Sequence, residues 1–260
     1  MYGIFKMNDF LSYYHRIQQR GAIRSNLTTS ITAENCIIGG GLAGISTMLS
    51  LVERGHSVAL LESKTVGFGA SGRNGGFLSS GFSLGVSEIA KKVGLSDTKE
   101  LFRLSQKGVE LVLARSNKFC LEDKDLSAGM VRSSWFSISD TLERDVEYMN
   151  NTFDTSLAYW PEKIVKENYL TDRYRDAIFD PYGYQINPLN YLNKCAEAAE
   201  ELGASIYETT TVNRIKKSSD GYKVYTRKGS VVAKNVILCT SAYRPWLNFK
   251  VAQGILPIET

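Results

Sequence analysis

Cys36-Ile37-Ile38-Gly39-Gly40-Gly41-Leu42-Ala43-Gly44 decides the fold. An apolar strand runs into a glycine turn, and the turn opens a helix. Gly39, Gly41 and Gly44 fall on the G-x-G-x-x-G spacing. In that pattern the first glycine makes a tight turn, the second lets the backbone approach a pyrophosphate, and the third lets helix and strand pack closely. Amides at the start of such a helix hold phosphates, helped by the positive end of its dipole, which adds Leu42 and Ala43 to the candidate binding residues. Ile45, Met48, Leu49 and Val52 follow at helical spacing for one buried face, and Gly55 is expected to end the helix. The run Ser57 to Leu61 reads as a buried parallel strand. It leads into Glu62, eighteen positions past Gly44. A carboxylate there accepts hydrogen bonds from a ribose diol and repels a 2′-phosphate, which disfavours NADP.

Working outward, the 260 residues suffice for one large domain or two small ones. A composition of 43% hydrophobic and 22% charged residues is that of a soluble globular protein. No apolar run reaches the length of a membrane span. Met1 to Arg20 has no apolar core of the kind a secretory signal needs, and the scattered cysteines make a reducing cytoplasm the expected compartment. The net charge of +4 is mild and dispersed and gives no argument for nucleic acid. The four cysteines, at 36, 120, 195 and 239, are scattered, and His15 and His56 are isolated. A zinc site or a Ser-His-Asp triad therefore has little to draw on. Cys36 and Cys239 fall in predicted strands, where a free thiol serves as a small core residue.

A second glycine-rich stretch follows Glu62: Val66-Gly67-Phe68-Gly69-Ala70-Ser71-Gly72-Arg73-Asn74-Gly75-Gly76-Phe77. Closely spaced glycines let a backbone present consecutive N–H groups to an anion, and Arg73 adds charge. A flexible linker would favour Gly and Ser without Phe, Arg and Asn at intervals.

Taken together, GGGLAG, the strand-end Glu62 and GFGASGRNGGF resemble the D-amino-acid-oxidase-like FAD-dependent oxidoreductases, and within them the branch that contains gamma-glutamylputrescine oxidase. Three further segments agree. Ser12-Tyr13-Tyr14 resembles that branch's N-terminal S-Y-Y. Ile186-Asn187-Pro188-Leu189-Asn190 resembles its I-H-P-L-N with Asn187 in place of the histidine. Val236 to Tyr243 resembles the strand and N-A-Y turn that return to the cofactor's sheet. The resemblance implies FAD as cofactor, with the first glycine motif, Glu62 and Ser63 at its ADP half. It implies that Ala70 to Gly76, including Ser71, Arg73, Asn74 and Gly75, wraps the pyrophosphate and approaches the isoalloxazine. It further implies a backbone contact from Val212 to the adenine, and contacts from Thr240 and Ser241. The chemistry implied is oxidation of the C–N bond of an amine or amino acid, with hydride passing to flavin N5 and O₂ as the expected oxidant. The partner is then a small-molecule amine. No catalytic acid or base is identified, since the cofactor carries the chemistry.

The expected fold is α/β: a Rossmann-like FAD-binding domain interrupted by an α+β substrate domain with a mixed or antiparallel sheet. Residues 1–30 form an N-terminal helix (8–20) and linker, 31–85 the first part of the FAD domain, 86–185 the substrate domain, 186–245 the second part of the FAD domain, and 246–260 the start of a second substrate-domain part. Helices are expected at 97–116, 140–151 and from Pro188 to Leu202, and strands at Met130–Ile138, Ala177–Ile186 and Ala204–Tyr207. Tyr222–Thr226 and Val231–Lys234 read as a hairpin, with Val236–Cys239 as a separate strand returning to the parallel sheet. Trp135, Tyr182 and Tyr184 are candidates to line a substrate pocket. Gly254 to Thr260 reads as the start of a strand, so the family fold is expected to be C-terminally incomplete. A homo-oligomer or a complementing C-terminal chain would then cover the open edge. Two other readings keep Gly39 to Glu62: a non-catalytic FAD- or nucleotide-binding part of a split flavoenzyme, and an NAD-dependent dehydrogenase. The latter gives no reason for the second glycine loop.

Overall fold

The structure is a computed structural model that describes residues 12–17, 24–119, 121, 125–136 and 139–241. Most of the helix expected at 8–20, Cys120, Ile138, Ala242, Tyr243 and the strand expected near the C-terminus lie outside these residues. The chain divides into two compact units, Met1–Asn74 with Pro188–Thr260, and Gly75–Asn187.

In the first unit, β1 (Ser30–Ile38), α2 (Leu42–Val52) and β2 (Val58–Leu61) form the expected βαβ; the short α1 (Tyr13–Ile17) precedes them. Cys36, Ile37, Leu60 and Leu61 are almost fully buried. Each large apolar side chain of this kind contributes about 1.5–3 kcal/mol by leaving water, which is why these runs read as central strands. α2 turns Ile45, Met48, Leu49 and Val52 inward. It ends at Val52, three residues before Gly55, whose φ of +82° then turns the chain. The sheet is completed by β7 (Ser205–Tyr207), β8 (Val212–Ser218), β9 (Gly221–Thr226) and β10 (Ser230–Leu238), in the order β7-β2-β1-β10-β9-β8. β7, β2, β1 and β10 run parallel, while β9 and β8 form an antiparallel flank. α7 (Pro188–Glu201) packs against α2.

The structure corrects two strand assignments. The strand expected at Met130–Ile138 runs instead from Leu126 to Ser134, so Trp135 and Phe136 lie beyond its end. Val231–Lys234 and Val236–Cys239 are not separate: Ser230 to Leu238 is one strand, paired with β1 from Ser30↔Ser230 through Ile38↔Leu238. Only its first part, Ser230–Ala233, also pairs with β9. Asn235, between the two expected strands, donates its side-chain amide to Asn35 Oδ1 at 3.1 Å, so the polar pair is satisfied within the ladder.

The second unit carries an antiparallel sheet whose central strand is β6 (Asp176–Ile186). β4 (Leu126–Ser134) pairs along one side of it, and β3 (Phe77–Leu78) and β5 (Ala158–Trp160) pair along the other. Register slips between Ala128↔Tyr184 and Met130↔Asp180, which leaves Pro181, Tyr182 and Gly183 as a bulge on β6. Pro181 has no N–H to give the ladder, and a bulge is where a sheet tolerates it. Asp180 Oδ1 accepts the Tyr182 amide at 2.9 Å and fixes the bulge. Helices α3 (Val86–Val93), α4 (Leu95–Lys118), α5 (Ser139–Phe153) and α6 (Glu162–Tyr169) complete this unit. Asn187, at the end of β6, donates its amide to Asp125 O at 2.8 Å and its side-chain N–H to Asp125 Oδ1 at 2.9 Å.

Candidate nucleotide site

Gly39 and Gly44 are required by close approach. Gly39 has φ +112°, and a Cβ there would stand 2.3 Å from Cys239 O at the end of β10. A Cβ on Gly44 would stand 1.9 Å from Gly39 O. Neither gap admits a side chain. The turn is thereby pressed between β10 and α2, and the first amides of α2 lie at the carboxyl end of the parallel strands. Those first-turn amides have no carbonyl of their own helix to bond. The N-cap, Gly41, supplies no side-chain acceptor, and the first turn contains no acid. Such an end suits an anion.

Two pieces of the following chain close on this turn. The Glu62 carboxylate accepts the Gly40 amide at 2.7 Å through Oε2, and the Lys64 amide at 2.8 Å and the Ser63 hydroxyl at 3.2 Å through Oε1. The Gly67 amide donates to Gly40 O at 2.9 Å. A single 3₁₀ turn, Ala70–Gly72, then brings Ser71 Oγ to 3.0 Å from the Leu42 amide, so the second glycine loop places an oxygen at the start of α2. Asn74 donates its side-chain amide to Ala70 O and Ser71 O at 3.1 and 3.0 Å, and holds that turn closed. Arg73 donates Nε to Phe68 O at 2.6 Å, and its guanidinium lies 4.8 Å from the Phe68 ring centroid. Lys64 Nζ lies 5.7 Å from the same ring, so one aromatic side chain gathers two cations beside the loop.

Gly39, Gly41, Leu42, Ala43, Gly44, Glu62, Ser63, Ala70, Ser71, Arg73 and Asn74 all belong to this one cluster. Thr240 joins it: its amide is among the atoms nearest to where a Gly39 Cβ would lie, at 3.4 Å. Ser241 follows with φ +50°. Val212 is buried in a core cluster with Cys36, Ile38 and Leu61, which leaves its backbone as the part able to meet a ligand. Gly75 and Gly76 belong to the second unit, where Gly76 O accepts the Ile186 amide at 2.8 Å. Cys36 is fully buried in β1, and burial pushes its thiol pKa up to about 12; Cys239 lies just past the end of β10 and is only part-buried, with burial raising its thiol pKa. Among the described residues no group of three or more His, Cys, Asp or Glu is placed to hold a metal ion, and no helix is long and apolar enough to cross a membrane.

Sequence reasoning missed a buried ionic group behind this cluster. Glu208, directly after β7, accepts the Val66 amide at 2.8 Å through Oε1, and that oxygen lies 3.5 Å from Arg24 Nη1. Arg24 also makes a bidentate pair with Glu200, at 2.8–2.9 Å. Burial alone would lower the Arg24 pKa; the Glu200 hydrogen bond and the charges of Glu200 and Glu208 more than offset it, and it ends above its ordinary value. A lone Glu after a three-residue strand carries no local signal of burial.

The second unit contains a cavity of about 780 Å³ between its sheet and helices α4 and α5. Tyr182 and Tyr184 line it, as do Asp180, Arg132, Glu110 and Asp145. Trp135 is not among its lining residues. Its ring sits instead under the Arg173 guanidinium, 4.1 Å from the centroid, because it lies past the end of β4 beside Tyr174.

Comparison with known proteins agrees with this geometry. The family model described as FAD dependent oxidoreductase matches residues 35–259. The probable oxidoreductase OrdL of Haemophilus influenzae is 31% identical over 254 residues, covering 96% of this chain and 59% of that protein. The gamma-glutamylputrescine oxidoreductase of Escherichia coli is 32% identical over 232 residues, covering 89% of this chain and 54% of its own length. The chain thus spans somewhat more than half the length of these curated relatives. Among solved structures, the L-amino acid deaminase of Proteus myxofaciens superposes with a TM-score of 0.72 at 22% identity, covering 92% of this chain and 52% of that one. Glycine oxidase of Geobacillus kaustophilus gives 0.68 at 23% identity, covering 85% and 58%. The chain belongs to the FAD dependent oxidoreductase family, whose cofactor is FAD.

Proposed function

We propose that this member of the FAD dependent oxidoreductase family holds the ADP half of FAD at the Gly39–Gly44 turn and takes part in oxidising the C–N bond of a small amine or amino acid. The observation that carries the cofactor assignment is the convergence of Glu62, Gly40, Ser71 and the start of α2, joined by hydrogen bonds from Gly40 to Glu62 and from Leu42 to Ser71. Glu62 is placed to accept from a ribose diol, and its charge opposes a 2′-phosphate. The first amides of α2, with Ser71, would meet the pyrophosphate, while Arg73 and Lys64 supply positive charge near it. Val212 would meet the adenine through its backbone, and Thr240 and Ser241 would border the cofactor from the end of β10. Gly75 and Gly76 continue the loop toward the flavin.

When bound, FAD supplies the hydride acceptor and, through reoxidation by O₂, the turnover. The chain's own residues bind and orient it. The amine class is supported by the family and by relatives whose names specify gamma-glutamylputrescine and glycine. The length comparison with those relatives supports a second reading, in which these residues bind FAD without turning over an amine by themselves. The two separate in one experiment. FAD-loaded protein is mixed anaerobically with gamma-glutamylputrescine, glycine, other polyamines and N-alkyl amino acids, and the oxidised flavin band is followed. Bleaching by one of these amines is expected. Bound flavin that none of them bleaches overturns the oxidase reading and leaves the binding reading.

A further inference from the structure

The geometry points to Glu208, paired with Arg24, as a positioning residue for the nucleotide site: it sets the loop Glu62–Gly67 so that the Glu62 carboxylate stays on the glycine turn. This rests on the reading of Gly39–Gly44 and Glu62 as the ADP-holding site.

Glu208 is 6% exposed and Arg24 is 9% exposed. Burying a carboxylate is costly unless it is paired and hydrogen-bonded, so its partners show what it is used for. One is the Val66 amide, at 2.8 Å. The other is Arg24, whose Nε and Nη2 are fixed by Glu200. Val66 is the residue before Gly67, whose own amide bonds Gly40 O at 2.9 Å. A displacement of Val66 is therefore passed directly to the glycine turn.

The neighbours of Glu208 hold the other end of the same loop. The Glu62 amide donates to Tyr207 O at 2.9 Å, the Thr209 amide to Lys64 O at 2.8 Å, and the Thr210 amide to Glu62 O at 2.8 Å. Thr209 has φ +47°, a left-handed conformation that a β-branched residue adopts only when its surroundings fix it. Those surroundings are visible. Thr210 Oγ1 donates to Glu208 O at 2.8 Å and accepts the Leu27 amide at 3.0 Å, which ties the same turn to the linker that carries Arg24. Residues 207–210 thus bracket residues 62–66. Glu208 is the one charged side chain in the segment 207–210. Its bond to Val66 is charge-assisted, and such bonds are stronger than neutral ones.

The test measures ADP affinity by titration calorimetry in a double-mutant cycle of E208Q and E62A, using the 260-residue chain. E208Q leaves Arg24 paired with Glu200, but it replaces the charged acceptor of the Val66 amide with a neutral one and removes the ion pair with Arg24. E208Q is expected to weaken ADP at least fivefold in the wild-type background and less than twofold in the E62A background, because its effect passes through Glu62. Equal losses in both backgrounds mean a general structural role and overturn the inference, as does an E208Q protein that binds ADP within twofold of wild type. Should E208Q fail to fold, the triple variant R24M/E200Q/E208Q removes all three charges without leaving one of the group unmatched. It is expected to show the same fivefold loss, and binding within twofold of wild type overturns the inference. A wild-type chain that binds neither ADP nor FAD removes the site reading and the positioning role with it; intact wild-type binding with unchanged variants removes the positioning role alone.

Discussion

Around Gly39–Gly44, the polar groups that face the turn are already held: Glu62 by Gly40 and Lys64, Ser71 by Leu42, Arg73 by Phe68. In the Gly75–Asn187 unit the cavity wall is looser, with Tyr182 63% exposed and Arg132 and Asp145 also on the surface. The first region is preorganised by backbone contacts that tolerate no extra atom. The second joins exposed side chains such as Tyr182 and Arg132 to buried ones such as Phe102 and Ile178. Backbone contacts of the first kind suit a site that meets one unvarying ligand.

Substitutions can break this contrast or sharpen it. The largest effect is expected from Gly44→Val, whose Cβ would stand 1.9 Å from Gly39 O. Forcing the helix off the strand should cost about 3 kcal/mol or more, read as a drop in the thermal midpoint together with loss of bound FAD. A Gly44→Val protein that keeps both would show that the turn is not close-packed. Next comes Glu62→Gln. Losing a charged acceptor is worth roughly 1.5–3 kcal/mol, so ADP should bind on the order of tenfold more weakly, and unchanged ADP affinity would remove Glu62 from the site. Ser71→Ala removes one neutral bond of about 1 kcal/mol and should weaken FAD by a factor of roughly five at most. Asp180→Asn keeps an acceptor for Tyr182, touches neither the glycine turn nor its bonding partners, and should leave ADP affinity within about twofold; a larger loss would erase the contrast.

A pH dependence is also expected in the second unit. Burial, then the hydrogen bond to Asp176 at 2.7 Å, raises the Tyr159 pKa from 10.0 to about 12. A raised folded-state pKa contributes stability that is complete below pH 10 and lost as pH rises toward 12. Tyr159→Phe should flatten that part of the stability profile, measured by urea unfolding across this range. An unchanged slope would mean that other groups produce it.

The legible parts of the fold are those where one local stretch meets a steric demand. Gly39, Gly44 and the buried Val58–Leu61 announce the βαβ because few other residue types satisfy those positions. Pro188 and Gly203 bracket α7 for similar reasons: one fits a helix start and the other, with φ +96°, lies just past its end. Glu62 was legible from its distance to the turn. What sequence could not show depends on distant partners. The unbroken β10 rests on Asn235 meeting Asn35, and the burial of Glu208 rests on Arg24 arriving from far upstream. The bulge at Pro181–Gly183 depends on where β4 slips against β6. Tyr182 and Tyr184 alternate as any strand aromatics do, and only the folded sheet separates them from Trp135.

The central claim is that the Gly39–Gly44 turn, closed by Glu62 and Ser71, holds the ADP half of FAD. The most direct measurement is a calorimetric titration of the wild-type chain with FAD, repeated in the presence of ADP. One FAD bound per chain, with competition by ADP, is the expected result. A folded chain that binds no FAD, or binds it with no competition from ADP, would contradict the claim.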